Sequence, residues 1–282
     1  MTRKVRYLGD VNCGPSPSIF GDLGTLRGES DQGMCMLFDD DFATPPILTS
    51  GTNAMGYLML STNATATGLD ASANDTENEL GVLHIDVLDA AADVANIQWG
   101  DGNQWVINGG RNSTGNTSKL GYEVRFKQNL VNANSIMTMV GFFEGPVATT
   151  SQDADGEIVN SKSFVGFRAL KADPNKLDVV YQATADNSVT VVAANAATLV
   201  AGTYTKLGLL ADPFELDSSK AISFFQDGVA VAYANTTQVD AALFPEGEPV
   251  VPVIGFQAGA GTATGTANID RVTGVMFKND IQ

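Results

Sequence analysis

From Leu120 to Gln182 the chain is a succession of short runs that alternate apolar and polar residues, separated by polar breaks. Leu120-Gly-Tyr-Glu-Val-Arg-Phe-Lys127 opens the series. Ile136-Met-Thr-Met-Val-Gly-Phe-Phe143, Phe164-Val-Gly-Phe-Arg-Ala-Leu170 and Leu177-Asp-Val-Val-Tyr-Gln182 follow it. Alternation at period two sends successive side chains to opposite faces of a sheet, so each run has one face for a core and one for water or a partner. Short connections between such strands make neighbours antiparallel. A sheet with one apolar face then has to bury it against a second sheet. The predicted fold is therefore all-β, an antiparallel β-sandwich.

The pattern continues beyond this ladder. Val189–Ala193, Thr203–Leu210 and Ile222–Gln226 read as strands, and Asp227-Gly228 joins the last of them to Val229–Tyr233. Asp-Gly is the residue pair that a two-residue type I′ hairpin loop requires. Val251–Ala258 and Ile269–Phe277 close the chain. Ahead of the ladder, Tyr57–Leu60 and Val82–Val87 are strand candidates, while Leu88–Ala95 is predicted as a short helix. Residues 1–36 carry Gly9, Gly14, Pro15, Pro17, Gly21, Gly24, Gly28 and Gly33 and no sustained periodicity, which predicts an extended N-terminal arm with turns. The expected organisation is an arm over 1–36 and one sandwich domain over 37–282. Strand spacing is irregular and shows no internal repeat.

Composition narrows the function classes. With 16 Lys and Arg against 32 Asp and Glu, the net charge is −16, a balance that disfavours nucleic acid because phosphate binding depends on cations. No run approaches the roughly 20 apolar residues of a membrane span. The basic residues Arg3, Lys4 and Arg6 precede no apolar stretch of signal-peptide type, so secretion by such a signal is not expected. Cys13 and Cys35 fit neither a C-x-x-C nor a zinc pattern and are expected as buried thiols. In that setting the five N-x-[ST] sequons, at Asn63, Asn74, Asn112, Asn116 and Asn235, mark Asn- and Thr-rich loops.

The order of strand types resembles the concanavalin A-like and laminin G-like jelly rolls. The resemblance is carried by Tyr122-Glu-Val-Arg-Phe126, Val140-Gly-Phe142, Gly166-Phe-Arg168, the hairpin Phe224-Phe-Gln-Asp-Gly-Val-Ala-Val231 and the closing Ile269-Asp-Arg-Val272. It covers residues 120–277 well and 38–119 loosely, and it implies a fold rather than an activity. The Ala-, Thr-, Gly- and Asn-rich composition and the short basic arm look like those of bacteriophage virion proteins, which use such jelly rolls as capsid decoration proteins and in tail fibres.

Glycan-cleaving members of this superfamily carry E-x-D-x-x-E on a strand lining the concave sheet, where two carboxylates act as nucleophile and general acid. The nearest stretch here is His84-Ile-Asp86-Val-Leu-Asp89, with His in place of the first acid. The expectation is therefore no enzyme and no catalytic residues, with a side-chain hydrogen bond between His84 and Asp86, which share a strand face, as the plainer reading. Asp153-Ala-Asp155-Gly156-Glu157 resembles the middle of a calcium loop, and a structural Ca²⁺ there is set against a solvated hairpin tip. No other metal or cofactor is expected. Trp99, Asp101, Asn103 and Trp105 offer the stacking and hydrogen-bonding groups of a glycan site, although two tryptophans also serve to fill a core.

The resemblance to virion proteins implies a capsid decoration or cement subunit, assembled in the host cytoplasm and held on the major capsid protein or other virion subunits. Contacts are expected from the arm residues Arg3, Lys4, Arg6, Tyr7, Leu8, Ile19 and Phe20, with self-association into a homo-oligomer. The alternative is a carbohydrate-binding or tail-fibre receptor-binding module with a lectin-like sandwich.

Overall fold

A computed structural model describes residues 15–20, 35–42, 57–62, 65–67, 82–87, 93–99, 105–107, 119–132, 136–145, 151–159, 162–184, 188–212, 215–241, 244–259 and 265–277. Among the described residues sixteen strands, numbered in chain order, form two antiparallel eight-stranded sheets. Sheet I runs β14 (Val229–Ala234), β13 (Ile222–Gln226), β12 (Thr205–Ala211), β7 (Leu120–Gln128), β16 (Gly265–Phe277), β4 (Leu83–Val87) and β3 (Thr65–Thr67). β1 (Cys35–Asp40) pairs with the C-terminal half of β16, alongside β4. Sheet II runs β11 (Thr190–Thr198), β10 (Lys176–Gln182), β9 (Phe164–Ala169), β8 (Ile136–Glu144), β15 (Pro249–Ala258), β5 (Val94–Trp99) and β2 (Tyr57–Thr62). β6 (Trp105–Val106) pairs with the start of β15. Two single helical turns complete the described elements, α1 (Pro17–Phe20) and α2 (Thr236–Val239). Asn235, one of the sequon residues, caps α2 by accepting from Gln238 N–H at 2.9 Å.

Alternation decides which residues meet between the sheets. Tyr122, Val124 and Phe126 of β7 pack with Leu207 and Leu209 of β12, Phe224 of β13 and Ile269 of β16 from one side. Val140 and Phe142 of β8, Phe167 of β9, Val179 of β10 and Ile254 and Phe256 of β15 meet them from the other. Edge-to-face pairs tie the layers together, with Phe126 against Phe256 and Phe167 against Phe224. The predicted hairpin forms as expected, with Asp227 at φ 50° and Gly228 at φ 78°, the left-handed pair of a type I′ turn.

Two local expectations are corrected. Val94 and Ala95, assigned to a helix at 88–95, belong to strand β5, and residues 88–92 lie outside the described residues. Val94-Ala-Asn-Ile-Gln-Trp99 alternates cleanly once it is read as its own unit. Ala95, Ile97 and Trp99 join the central core while Asn96 and Gln98 take the opposite face. The helical turn at Pro17–Phe20 interrupts a stretch expected to be extended, and it packs against sheet I.

Candidate functional site

The outer faces of the two sheets differ in kind. On sheet II, Met139, Phe143, Phe164, Val180, Val251 and Val253 turn outward, and they are covered by residues 151–159, whose Ile158 completes a second small core. Polar anchors hold this cover down. Ser151 Oγ donates to Asn96 Oδ1 at 2.9 Å, and Gln257 Nε2 donates to Asp153 O at 2.8 Å. Buried Arg168 pairs with Glu157 and lies 3.8 Å from Asp178. The calcium-loop expectation changes with this placement. Asp153 Oδ1 accepts the N–H groups of Asp155 and Glu157, both at 2.9 Å, Glu157 is engaged by Arg168, and Asp155 points to Lys171. Among the described residues no group of three acidic, His or Cys side chains is placed to hold a metal ion.

On sheet I the outward positions form a polar ladder, because β7, β12 and β16 lie side by side and their alternation is in phase. Register places Lys206 and Arg271 on either side of Arg125, and Gly208 and Thr273 on either side of Glu123. Arg271 makes a bidentate pair with Asp39 of β1, Nε to Oδ1 at 2.9 Å and Nη2 to Oδ2 at 2.7 Å, while Thr273 Oγ1 donates to the same Asp39 Oδ1. Arg125 pairs with Asp270, which sits at the bulge of β16. The Arg125 guanidinium lies 4.1 Å from the ring centre of Tyr204, just ahead of β12, and Lys127 Nζ lies 4.9 Å from it. The pair is partly buried, with side-chain exposures of 16% for Arg125 and 25% for Asp270. Further along, His84 Nδ1 and Asn268 Oδ1 sit 2.6 Å apart across the β4–β16 pair, a different partner from the expected Asp86, whose side chain lies outside those described.

The other end of this face is closed by the chain itself. Ile19 and Phe20 of α1 are buried with Phe225, Val275, Leu210 and Ala230. Ser16 N–H donates to Glu123 Oε1 at 3.0 Å, and Ser18 Oγ donates to Gly228 O at 2.9 Å. Burial pushes the Glu123 carboxyl above the ordinary glutamate range, against the lowering influence of Ser16, Lys206 and Arg271. Ile19 and Phe20, expected to contact a partner, are thus spent on the protein's own sheet. The other expected arm contacts, Arg3, Lys4, Arg6, Tyr7 and Leu8, lie outside the described residues, as does Cys13.

The tryptophans take the core-filling alternative over the glycan one. Trp99 and Trp105 are 3% and 2% exposed and belong to the central core, with Phe38 stacked on Trp99 and Phe142 tilted against Trp105. Their ring faces are covered by protein, so they cannot stack on a sugar. Asp101 and Asn103 lie outside the described residues, as does Asp89 of the acidic stretch, whose Asp86 is placed by its backbone on β4. The aromatic that does combine with polar groups at a sheet surface is Tyr204, which no linear motif singles out.

No family model and no curated protein matches the chain. Solved structures match over most of its length. A protein of unknown function from Shewanella oneidensis aligns with a TM-score of 0.53 and 14% identity, covering 88% of this chain and 89% of its own. An endo-1,3-β-glucanase from Streptomyces sioyaensis aligns with a TM-score of 0.53 and 15% identity over 87% and 97%. The carbohydrate recognition domain of Emp47p aligns with a TM-score of 0.50 and 9% identity over 87% and 95%. These likenesses give the concanavalin-like jelly roll as the fold. They also overturn the expectation that the chain is not an enzyme, because an endo-glucanase carries the same sandwich and the lack of an E-x-D-x-x-E stretch at 84–89 does not exclude catalysis elsewhere on it.

Proposed function

We propose that this protein is a lectin-like carbohydrate-binding module that takes its ligand on the outer face of sheet I. One observation carries the reading: Tyr204 stands with Arg125, Lys127 and Asp270 at a partly open sheet surface. A sugar ring presents an apolar C–H face and a rim of hydroxyls. Here the Arg125 guanidinium already lies over the Tyr204 ring, so the C–H face of a sugar would meet the ring edge and the guanidinium plane, while the ion pair gives donors and acceptors in fixed directions. The jelly-roll likeness to a carbohydrate recognition domain and a glucanase is consistent with this use of the fold. The virion-subunit reading loses ground because Ile19 and Phe20, two of its contact residues, are buried in the protein's own sheet.

Glycan-array screening of the full chain, followed by calorimetric titration with the best ligand, tests the proposal. Tyr204→Ala and Asp270→Asn should each weaken binding at least about tenfold, roughly 1.4 kcal/mol, and Asp270→Asn keeps an oxygen for Arg125 so that the fold is retained by circular dichroism. If no oligosaccharide binds the folded protein, or if the ligand that binds is indifferent to both substitutions, the assignment is wrong. Product analysis of the same mixtures shows whether binding is followed by cleavage.

A further inference from the structure

Residues 15–20 close one end of sheet I over a single carboxyl. Glu123 is 4% exposed and Ser16 1%. Glu123 Oε1 accepts the Ser16 N–H, whereas Glu123 Oε2 and Ser16 Oγ are buried without a hydrogen-bond partner. The floor beneath this carboxyl is rigid, because β7 is paired with β12 on one side and with β16 on the other. The cover belongs to no ladder. It is one helical turn, held by Ile19 and Phe20 in their pocket and by Ser18 Oγ on Gly228 O.

The charges that face Glu123 are already matched. Among the described residues the cations are Lys206 on β12, Arg271 on β16 and Arg125 on β7, with Lys127 beyond them against Tyr204. Asp39 of β1 binds Arg271 through both oxygens, Asp270 pairs with Arg125, and Asp227, in the turn after β13, accepts the Lys206 N–H at 2.9 Å. The turn α1 brings no charge, and β13 brings Ser223 and Phe225 to this face. An ionised Glu123 is thus a fourth carboxylate beside three cations and three acids, with one oxygen that meets no donor. Burial therefore outweighs the neighbouring cations at this carboxyl.

We propose that residues 15–20 form a proton-gated latch, docked on sheet I while Glu123 is protonated and released when that carboxyl ionises. The protonated group needs no solvation at Oε2 and still offers Oε1 to the Ser16 N–H. The ionised group is relieved only when water reaches Oε2, and the element that can move aside for water is the single turn, not the paired strands. Released, the carboxyl titrates near its ordinary value of 4.5, and docked it titrates higher. Release is therefore suppressed below pH 4.5, grows by up to about tenfold per pH unit between the two values, and levels off above them. Opening bares Leu210, Phe225, Ala230 and Val275 beside the polar ladder, so the latch sets what this face presents. The event is local and leaves both sheets paired. This inference is independent of the glycan reading.

Amide hydrogen exchange of the full chain along a pH series tests it, with each rate corrected for the pH dependence of exchange in a free peptide. The Ile19 and Phe20 N–H groups both donate to Ser16 O and report the latch, while Tyr122 and Val124 of β7 report the sheet. Between roughly pH 4.5 and 7.5 the protection of Ile19 and Phe20 should fall at least about tenfold, with β7 unchanged. Glu123→Gln keeps an oxygen for the Ser16 N–H and cannot ionise, so it should abolish the fall. Glu144→Gln, which removes a carboxyl far from the turn, should behave like the parent. The parent series is decisive even if Glu123→Gln does not fold. Equal protection of Ile19 and Phe20 at both ends of the series overturns the proposal. So does a fall shared equally by β7, or one that persists in Glu123→Gln.

Discussion

Two glycines set how closely β8 and β9 approach. Gly141 and Gly166 are direct partners across the pair, and a Cβ on Gly141 would overlap the Val165 carbonyl while one on Gly166 would overlap that of Val140. The obstacle is backbone on both sides, so no rotamer change can relieve it. Gly141→Ala should therefore cost about 1–3 kcal/mol in denaturant unfolding, the usual range for overpacking. Glu123 gives a second residue-scale expectation. Its carboxyl is raised by burial, so the folded state takes up its proton at a higher pH than the unfolded chain, whose value is near 4.5. Between these two values the folded state holds more protons, and stability must fall as pH rises through that window. Glu123→Gln keeps an oxygen for Ser16 N–H and removes the charge. The variant should gain on the parent from pH 4.5 upward and match it below, in melts recorded along the pH series. Glu144 has the opposite sign. Burial alone would raise it, but Thr184, Ser163 N–H and Lys162 hold it below the ordinary value. Its contribution is present above pH 4.5 and lost as acid is added, and Glu144→Gln should remove that loss.

At the scale of elements, α1 is the most informative because it is one helical turn, too short to stand alone. What holds it is the pocket on sheet I. Gly121 and Gly208 leave room for Ile19, and Phe225 and Val275 floor the site. Phe20→Ala should cost about 3–5 kcal/mol if the turn stays docked and the cavity remains. A loss near 1 kcal/mol in equilibrium unfolding would instead mean that the turn is released without disturbing the sheet. The sequence could not show this docking, because Ser-Pro-Ser-Ile-Phe has no period and its partners lie more than 100 residues away. The strands were legible where alternation is uninterrupted, as in Leu120–Lys127 and in the Asp227-Gly228 hairpin. β5 was missed because the preceding Leu-Asp-Ala-Ala-Ala-Asp has helical composition and masked the alternation that begins at Val94. The tryptophans left sugar stacking and core filling both open, because their Gly-Asp-Gly spacer says nothing about the direction of the rings. Tyr204 escaped notice for the converse reason, since Arg125 and Lys127 against its ring come from strand β7, distant in sequence and brought beside it only by the sheet order.

For the whole molecule the dominant fact is the mismatch between a core that needs no charge and a surface with twice as many acids as bases. Surface ion pairs such as Lys171–Asp155, at 3.9 Å, and Lys220–Asp217, at 3.1 Å, gain little in water and are screened by salt. The more protected pairs, Arg271–Asp39 and Arg125–Asp270 on sheet I and Arg168 with Glu157 under the cover of sheet II, are screened far less. Salt therefore acts mainly on the uncompensated repulsion of a net charge of −16, and screening that repulsion favours the compact state. The thermal midpoint should rise by several degrees as NaCl is increased from roughly 0.01 M to 0.5 M, over which the Debye length falls from about 30 Å to under 10 Å. Acidification toward the isoelectric point near 4.2 should reduce the size of that salt effect, since the repulsion being screened is itself vanishing. A midpoint that falls with salt at pH 7 would show that exposed ion pairs outweigh the net charge. The acidic surface would then act as a set of local pairings and not as a uniform field.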